Sequence, residues 1–222
     1  MILLLWACTP KPAELPEPLP EPAPPGALTI LHTNDLHGHY LPEPADWLDN
    51  RPSIGGMVRL DAEVDALRRE RRDAVLLLDG GDILTGTPLT DLVVDGAKGG
   101  AMLQFLDGIG YDAWALGNHE FDKGLDNLIA LTSTTRVPVL SSNVLTPDGE
   151  PLLPHQKRSE IFEVNGLQIG VIGATTEGLE GLMSRQDFAR LKLRSVAAAV
   201  REEVERLDPD TDLIVVLSHI GV

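Results

Sequence analysis

The chain is poor in cysteine, in aromatic side chains and in positive charge. Its single cysteine, Cys8, excludes a disulfide framework within one chain. Four Phe, three Trp and two Tyr in 222 residues leave no stripe on which successive bases could stack. Lys and Arg total 18 against 34 Asp and Glu, a net charge of −16. That balance argues against a nucleic-acid polymer or an anionic lipid surface as partner, whereas bound divalent cations would offset part of it locally. No stretch reaches the roughly 18 apolar residues that span a bilayer.

What is present begins with MILLLWAC, a short apolar run and small residues ahead of Cys8. It resembles the end of a bacterial lipoprotein signal, although no basic residue precedes it and the run is shorter than an h-region of about 7 to 15 residues. Eight prolines then fall between Pro10 and Pro25, interleaved with Glu14, Glu17 and Glu21. Such a tract favours extended polyproline II, a tether of roughly 50 Å. The expectation is a signal remnant and linker over 1–25, lipidated at Cys8, and one domain over 26–222. Membrane contact would come only through that anchor, in the bacterial periplasm or at the outer membrane.

After Gly26, strand-like apolar runs alternate with helical patterns. ALTILHTND, AVLLLDGGD, DAWALGNHE, VPVLSSN and TDLIVVLSHIGV read as strands or strand-to-turn segments. Helices are predicted over 55–72, 100–106, 125–131 and 195–207, the last stopped by Asp208-Pro209. Asn165-Gly166, set between IFEV and LQIGVIG, marks a β-hairpin. The alternation predicts a layered α/β fold with one antiparallel element.

LHTNDLHGHYLP, from Leu31 to Pro42, holds three histidines and an aspartate directly after an apolar run. D-x-H alone fits an ordinary polar turn. Four apolar runs, however, end in residues able to bind a metal: Asp35 and His37, Asp82, Asn118 and His119, and His219. In an open α/β sheet the carboxyl ends of the strands face one crevice, so these residues should converge. Gly80, Gly81 and Gly117 allow sharp turns and close approach there. The donors are carboxylate, imidazole and amide oxygen without thiolate, which suits a hydrolytic site rather than a structural zinc knot. Zinc, manganese, iron and cobalt all fit that donor set, and the residues do not choose among them. Asp82 lies centrally and could bridge two ions, which sit about 3.5 to 4 Å apart in two-metal hydrolases.

HTNDLHGH, LLLDGGD, ALGNHEFD, LSSN and LSHIG, in this order, resemble the calcineurin-like metallophosphoesterases, and within them the 5′-nucleotidase family. The resemblance implies a four-layer α/β/β/α sandwich. It implies that Asp35, His37 and Asp82 hold one divalent ion and Asp82, Asn118 and His219 the other. His119 would be the catalytic histidine oriented by Asp122, and Asn118 and His119 would meet the substrate. The implied reaction is attack of a metal-bound hydroxide on a nucleotide or a related small phosphate ester. The family adds a downstream G-H-x-H or G-H-x-Q motif and a nucleotide-gripping domain, which this sequence does not contain. The domain is therefore expected to be C-terminally incomplete. The alternative reading is a non-catalytic surface lipoprotein with a truncated or degenerate phosphatase fold.

Among the remaining polar residues, His32 is expected to be packed or hydrogen-bonded within its strand, and His39 and His155 to be exposed. Asn143 is open between a hydrogen bond to a group beside the ions and a purely structural role. RRERR from Arg68 is expected to be a solvated helix end.

Overall fold

The computed structural model describes residues 24–72 and 74–221. Cys8 and most of the proline-rich tract lie outside the described residues.

Five strands form one parallel sheet. They are β1 (Thr29–Thr33), β2 (Val75–Asp79), β3 (Ala113–Ala115), β4 (Val139–Leu140) and β5 (Gln156–Lys157), in spatial order β1-β2-β3-β4-β5. Three more build a second sheet: β6 (Ser159–Val164), β7 (Leu167–Thr175) and β8 (Leu213–His219), with β7 central. β6 and β7 are antiparallel across the Asn165-Gly166 turn. Both turn residues have positive φ, 50° and 81°, the requirement of a type I′ turn that Asn-Gly meets at low cost.

The main helices are α1 (Met57–Arg71), α2 (Gly100–Ile109), α3 (Leu125–Thr132) and α4 (Val196–Leu207). Successive side chains along a strand point to opposite faces, and the two apolar clusters divide the first sheet accordingly. Leu77, Trp114 and Val139 pack with Val64, Met102, Leu106 and Leu128 of α1, α2 and α3. Leu76, Leu78, Ala113, Ala115 and Leu140 pack instead with Val164, Ile169, Val171 and Leu217 of the second sheet. On the far side of that sheet, Leu207 of α4 lies against Gly170 of β7. The layers are α/β/β/α.

Several details depart from the sequence expectations. The second predicted helix runs three residues further, to Ile109, and ends on Gly110 in the left-handed region, a common C-cap for a residue without Cβ. VPVLSSN contributes only Val139–Leu140 to the ladder. The QK pair after His155 supplies the fifth strand, too short to show a period. His32 is exposed, not packed. It sits on β1, which is at the edge of its sheet, and faces a groove shared with Val215–Gly221. His39 and His155 are exposed. Arg68 is not a free helix end: its guanidinium donates to the carbonyls of Ile109 and Gly110 and so caps α2.

Candidate metal centre

The parallel strands deliver their polar ends to one rim. Asp35 and His37 follow β1, Asp82 follows β2, Asn118 and His119 follow β3, and His219 ends β8 in the second sheet. Three imidazole Nε2 atoms surround one carboxylate oxygen. Asp82 Oδ2 lies 3.1 Å from His219 Nε2, 3.9 Å from His37 Nε2 and 4.0 Å from His119 Nε2. Asp35 Oδ1 is 3.5 Å from His37 Nε2. Two sets of donor atoms fall within 4.8 Å of one another: His37, Asp82 and His119, and Asp35, Asp82 and His219. Asp82 belongs to both.

The rear nitrogens are engaged elsewhere. His37 Nδ1 is 3.2 Å from Leu84 O, His219 Nδ1 is 3.0 Å from Gly80 O, and His119 Nδ1 is 2.7 Å from Asp122 Oδ2. A carbonyl or carboxylate at Nδ1 fixes each ring with Nε2 facing the cluster, so that Nε2 is the atom a cation would meet, the orientation that metal-ligating histidines adopt. The donor set therefore fits divalent cations. Asn118 is half-buried at the start of a short helical turn over His119–Phe121.

Charge couples these groups. Burial pushes Asp82 upward, but hydrogen bonds from His219 and from the His119 N–H, with the two histidine charges, hold its carboxyl below the usual range. His219 is pushed up to about 9, chiefly by its hydrogen bond to Asp82 and against its own burial. Burial draws His119 down, yet the Asp122 hydrogen bond and the surrounding carboxylates carry it above its ordinary value.

Beneath the rim lie residues that sequence reasoning passed over. Glu120 is fully buried, and its two oxygens accept four backbone N–H groups, from Asp82 and Gly117 at Oε2 and from Ile83 and Leu84 at Oε1. It clamps the loop carrying Asp82 to the loop carrying Asn118 and His119. Burial and the Asp82 charge push its carboxyl up, opposed by those amides. Asp79, also buried, accepts from Thr33 Oγ1 at 2.6 Å and from Gly81 N at 2.8 Å. Thr33 Oγ1 is in turn 2.8 Å from the Tyr111 hydroxyl. Desolvation raises Asp79 to about 7. The available signal was an acidic residue placed against an apolar run without a partner charge, in LLLDG and in GNHEF.

The loops are held in uncommon conformations. Asp35, His37 and Asp82 have φ of 54°, 45° and 58°, the left-handed region that disfavours non-glycine residues. Gly81 and Gly117 face one another so closely that a Cβ on Gly117 would collide with Asp82 Oδ1. Backbone strain of this kind clusters at functional sites.

Asn143 does not touch the cluster. Its amide pairs with the Thr175 main chain, donating to O at 2.8 Å and accepting from N at 2.9 Å. Thr175 is the register partner of His219, so Asn143 ties the first sheet to the ladder that carries His219.

Residues 28–222 match the profile of the calcineurin-like phosphoesterases. The chain belongs to that family. Among similar proteins, the 5′-nucleotidase of Vibrio vulnificus is 36% identical over 202 residues, 87% of this chain and 34% of its own length. The 5′-nucleotidase precursor of Thermus thermophilus superposes with a TM-score of 0.75 at 30% identity, over 87% of this chain and 37% of that one. The NAD nucleotidase of Haemophilus influenzae gives 0.75 at 29% identity, over 87% and 38%. This calcineurin-like chain thus spans about a third of the length of the curated relatives it matches.

Proposed function

We propose that this chain carries the catalytic centre of a two-metal phosphohydrolase of 5′-nucleotidase type, acting on nucleotides or related small phosphate esters. The observation that carries the reading is the convergence of three Nε2 atoms on Asp82 Oδ2, with each Nδ1 secured from behind.

Asp35, His37 and Asp82 would hold one divalent cation, and Asp82, Asn118 and His219 the other, with zinc the first candidate. When bound, such cations supply a water acidified from a pKa of 15.7 to about 7 and neutralise charge on the phosphoryl oxygens. His119 shares a donor set with His37 and Asp82, but its Nδ1 is secured by a carboxylate rather than a carbonyl, which suits proton transfer. Asp122 keeps the His119 ring aimed and stabilises its charged form, so that Nε2–H protonates the departing oxygen. A positioned acid of this kind contributes about 10² to 10⁴ in rate. Glu120 keeps Asp82 and His119 at fixed separation through the two loops it clamps.

The names of the similar proteins support the ester class: two are 5′-nucleotidases and one is an NAD nucleotidase. MILLLWAC and the proline-rich tract support an extracytoplasmic placement, anchored through a lipid on Cys8.

The test is His119→Ala, assayed by phosphate release from a nucleoside monophosphate with zinc, manganese or cobalt supplied. Release should fall at least about 100-fold while bound metal stays near the wild-type level. Unchanged release would refute the assignment. Absence of bound metal in the wild-type chain would favour a non-catalytic binding module.

A further inference from the structure

We propose that Thr85 is a positioning residue for the His119–Asp122 pair, its hydroxyl fixing the carboxylate oxygen that His119 Nδ1 uses. The inference rests on the reading of His119 and Asp122 given above.

Thr85 Oγ1 donates to Asp122 Oδ2 at 2.8 Å, and His119 Nδ1 lies 2.7 Å from that same oxygen. Two donors on one oxygen set the rotation of the Asp122 carboxylate and with it the plane of the imidazole. A carboxylate with only the histidine as partner could turn about its last bond and offer either oxygen.

The backbone of Thr85 argues that the hydroxyl is there for a purpose. Its φ is 66°, where a β-branched residue is strained and glycine or asparagine is the easy choice. The conformation is imposed from both sides. Ile83 N and Leu84 N are bound by Glu120 Oε1, and Leu84 O faces His37 Nδ1. Gly86 follows with a φ of 115°, packed so closely on His37 that a Cβ there would strike the His37 carbonyl oxygen. Residues 82–86 therefore connect Asp82, Glu120, His37 and Asp122 in five consecutive positions. Among the described residues, Asp122 is the hydrogen-bond partner of the Thr85 hydroxyl.

The experiment compares the full chain with Thr85→Val, Thr85→Ser and Thr85→Gly. Proton spectra of the ¹⁵N-histidine-labelled chain at one fixed pH read the His119 Nδ1–H resonance, and so its hydrogen bond to Asp122, without requiring turnover. The wild type and Thr85→Ser should show one sharp downfield resonance. Thr85→Val and Thr85→Gly should show a shifted and broadened one, because the freed carboxylate turns and offers either oxygen. Thr85→Gly should also melt at an equal or higher temperature, because it relieves the backbone while losing the hydroxyl. A residue that merely stabilised the loop would not combine those two results. Phosphate release supplies a separate arm: kcat should fall about fivefold in Thr85→Val with KM unchanged, the loss of one hydrogen bond, and Thr85→Ser should recover most of it. An unaltered His119 Nδ1–H resonance in both Val and Gly variants would overturn the proposal. If no variant and no wild-type chain released phosphate, the functional reading would fail while the spectra still decided the role of Thr85.

Discussion

The two sides of the candidate metal centre are built differently. Asp82, His37 and His119 ride on loops at the end of the first sheet, and they are braced from below by Glu120, which binds four backbone amides. His219 ends β8, an edge strand whose Leu213 and Val216 side chains are exposed, and it is held by one Nδ1 contact to Gly80 O. The first side is over-determined by buried polar groups. The second depends on the register of β8 against β7, and so on Asn143, which grips Thr175 opposite His219. Strained loops persist on the first side because the bracing makes relaxation costly.

Removing the brace should have the largest effect. Glu120→Ala leaves four buried N–H groups without a partner, and each unsatisfied group costs about 1 to 3 kcal/mol. A loss of about 4 kcal/mol or more is expected in urea unfolding, with metal binding lost as well. A loss below about 1 kcal/mol would mean that the loops hold themselves.

Asp79 gives the next largest effect, and it depends on pH. Its folded pKa of about 7 exceeds the ordinary value of 3.8, so between those limits the folded chain binds more protons than the unfolded one. Stability contributed by this group is therefore full below about pH 4 and is lost as pH rises toward 7. A displacement of that size corresponds to about 4 kcal/mol at most. Unfolding free energies measured from pH 4 to 8 should decline less in Asp79→Asn than in the wild type; parallel profiles would remove Asp79 as the cause.

The edge side should respond more gently. Asn143→Ala, which frees the Thr175 main chain, should cost about 1 to 3 kcal/mol. It should weaken divalent-cation affinity at the ion nearer His219 more than at the ion nearer His37, as read by calorimetry. Equal weakening at both would show that the two sides do not differ in rigidity. Val216→Thr, on the exposed face of β8, should change stability by less than about 0.5 kcal/mol, and a larger change in melting would mean that this face is covered in solution.

The same division governs what could be read without coordinates. Elements with a strong local signal were legible: α1 and α4 by their helical spacing, the hairpin by Asn165-Gly166, and β2 by the uninterrupted apolar run Leu76–Leu78, buried throughout. Gln156–Lys157 was not, because two residues display no period and their pairing with Val139–Leu140 comes from tertiary contact. The rim residues were legible because polar side chains recur where apolar runs end. Glu120, Asp79 and Thr85 were not, since their roles come from hydrogen bonds between segments about 37 to 46 positions apart. His32 looked internal from its place within a strand-like run, yet the edge position of β1 leaves it exposed.

A two-metal site on this chain requires Asp82 to be the carboxylate shared by both cations. Counting bound zinc or manganese per chain by elemental analysis, for the wild type and for Asp82→Ala, tests that most directly. Two equivalents in the wild type and the loss of both on substitution are the predicted result. A wild-type chain that binds none, or an Asp82→Ala variant that keeps both, would contradict it.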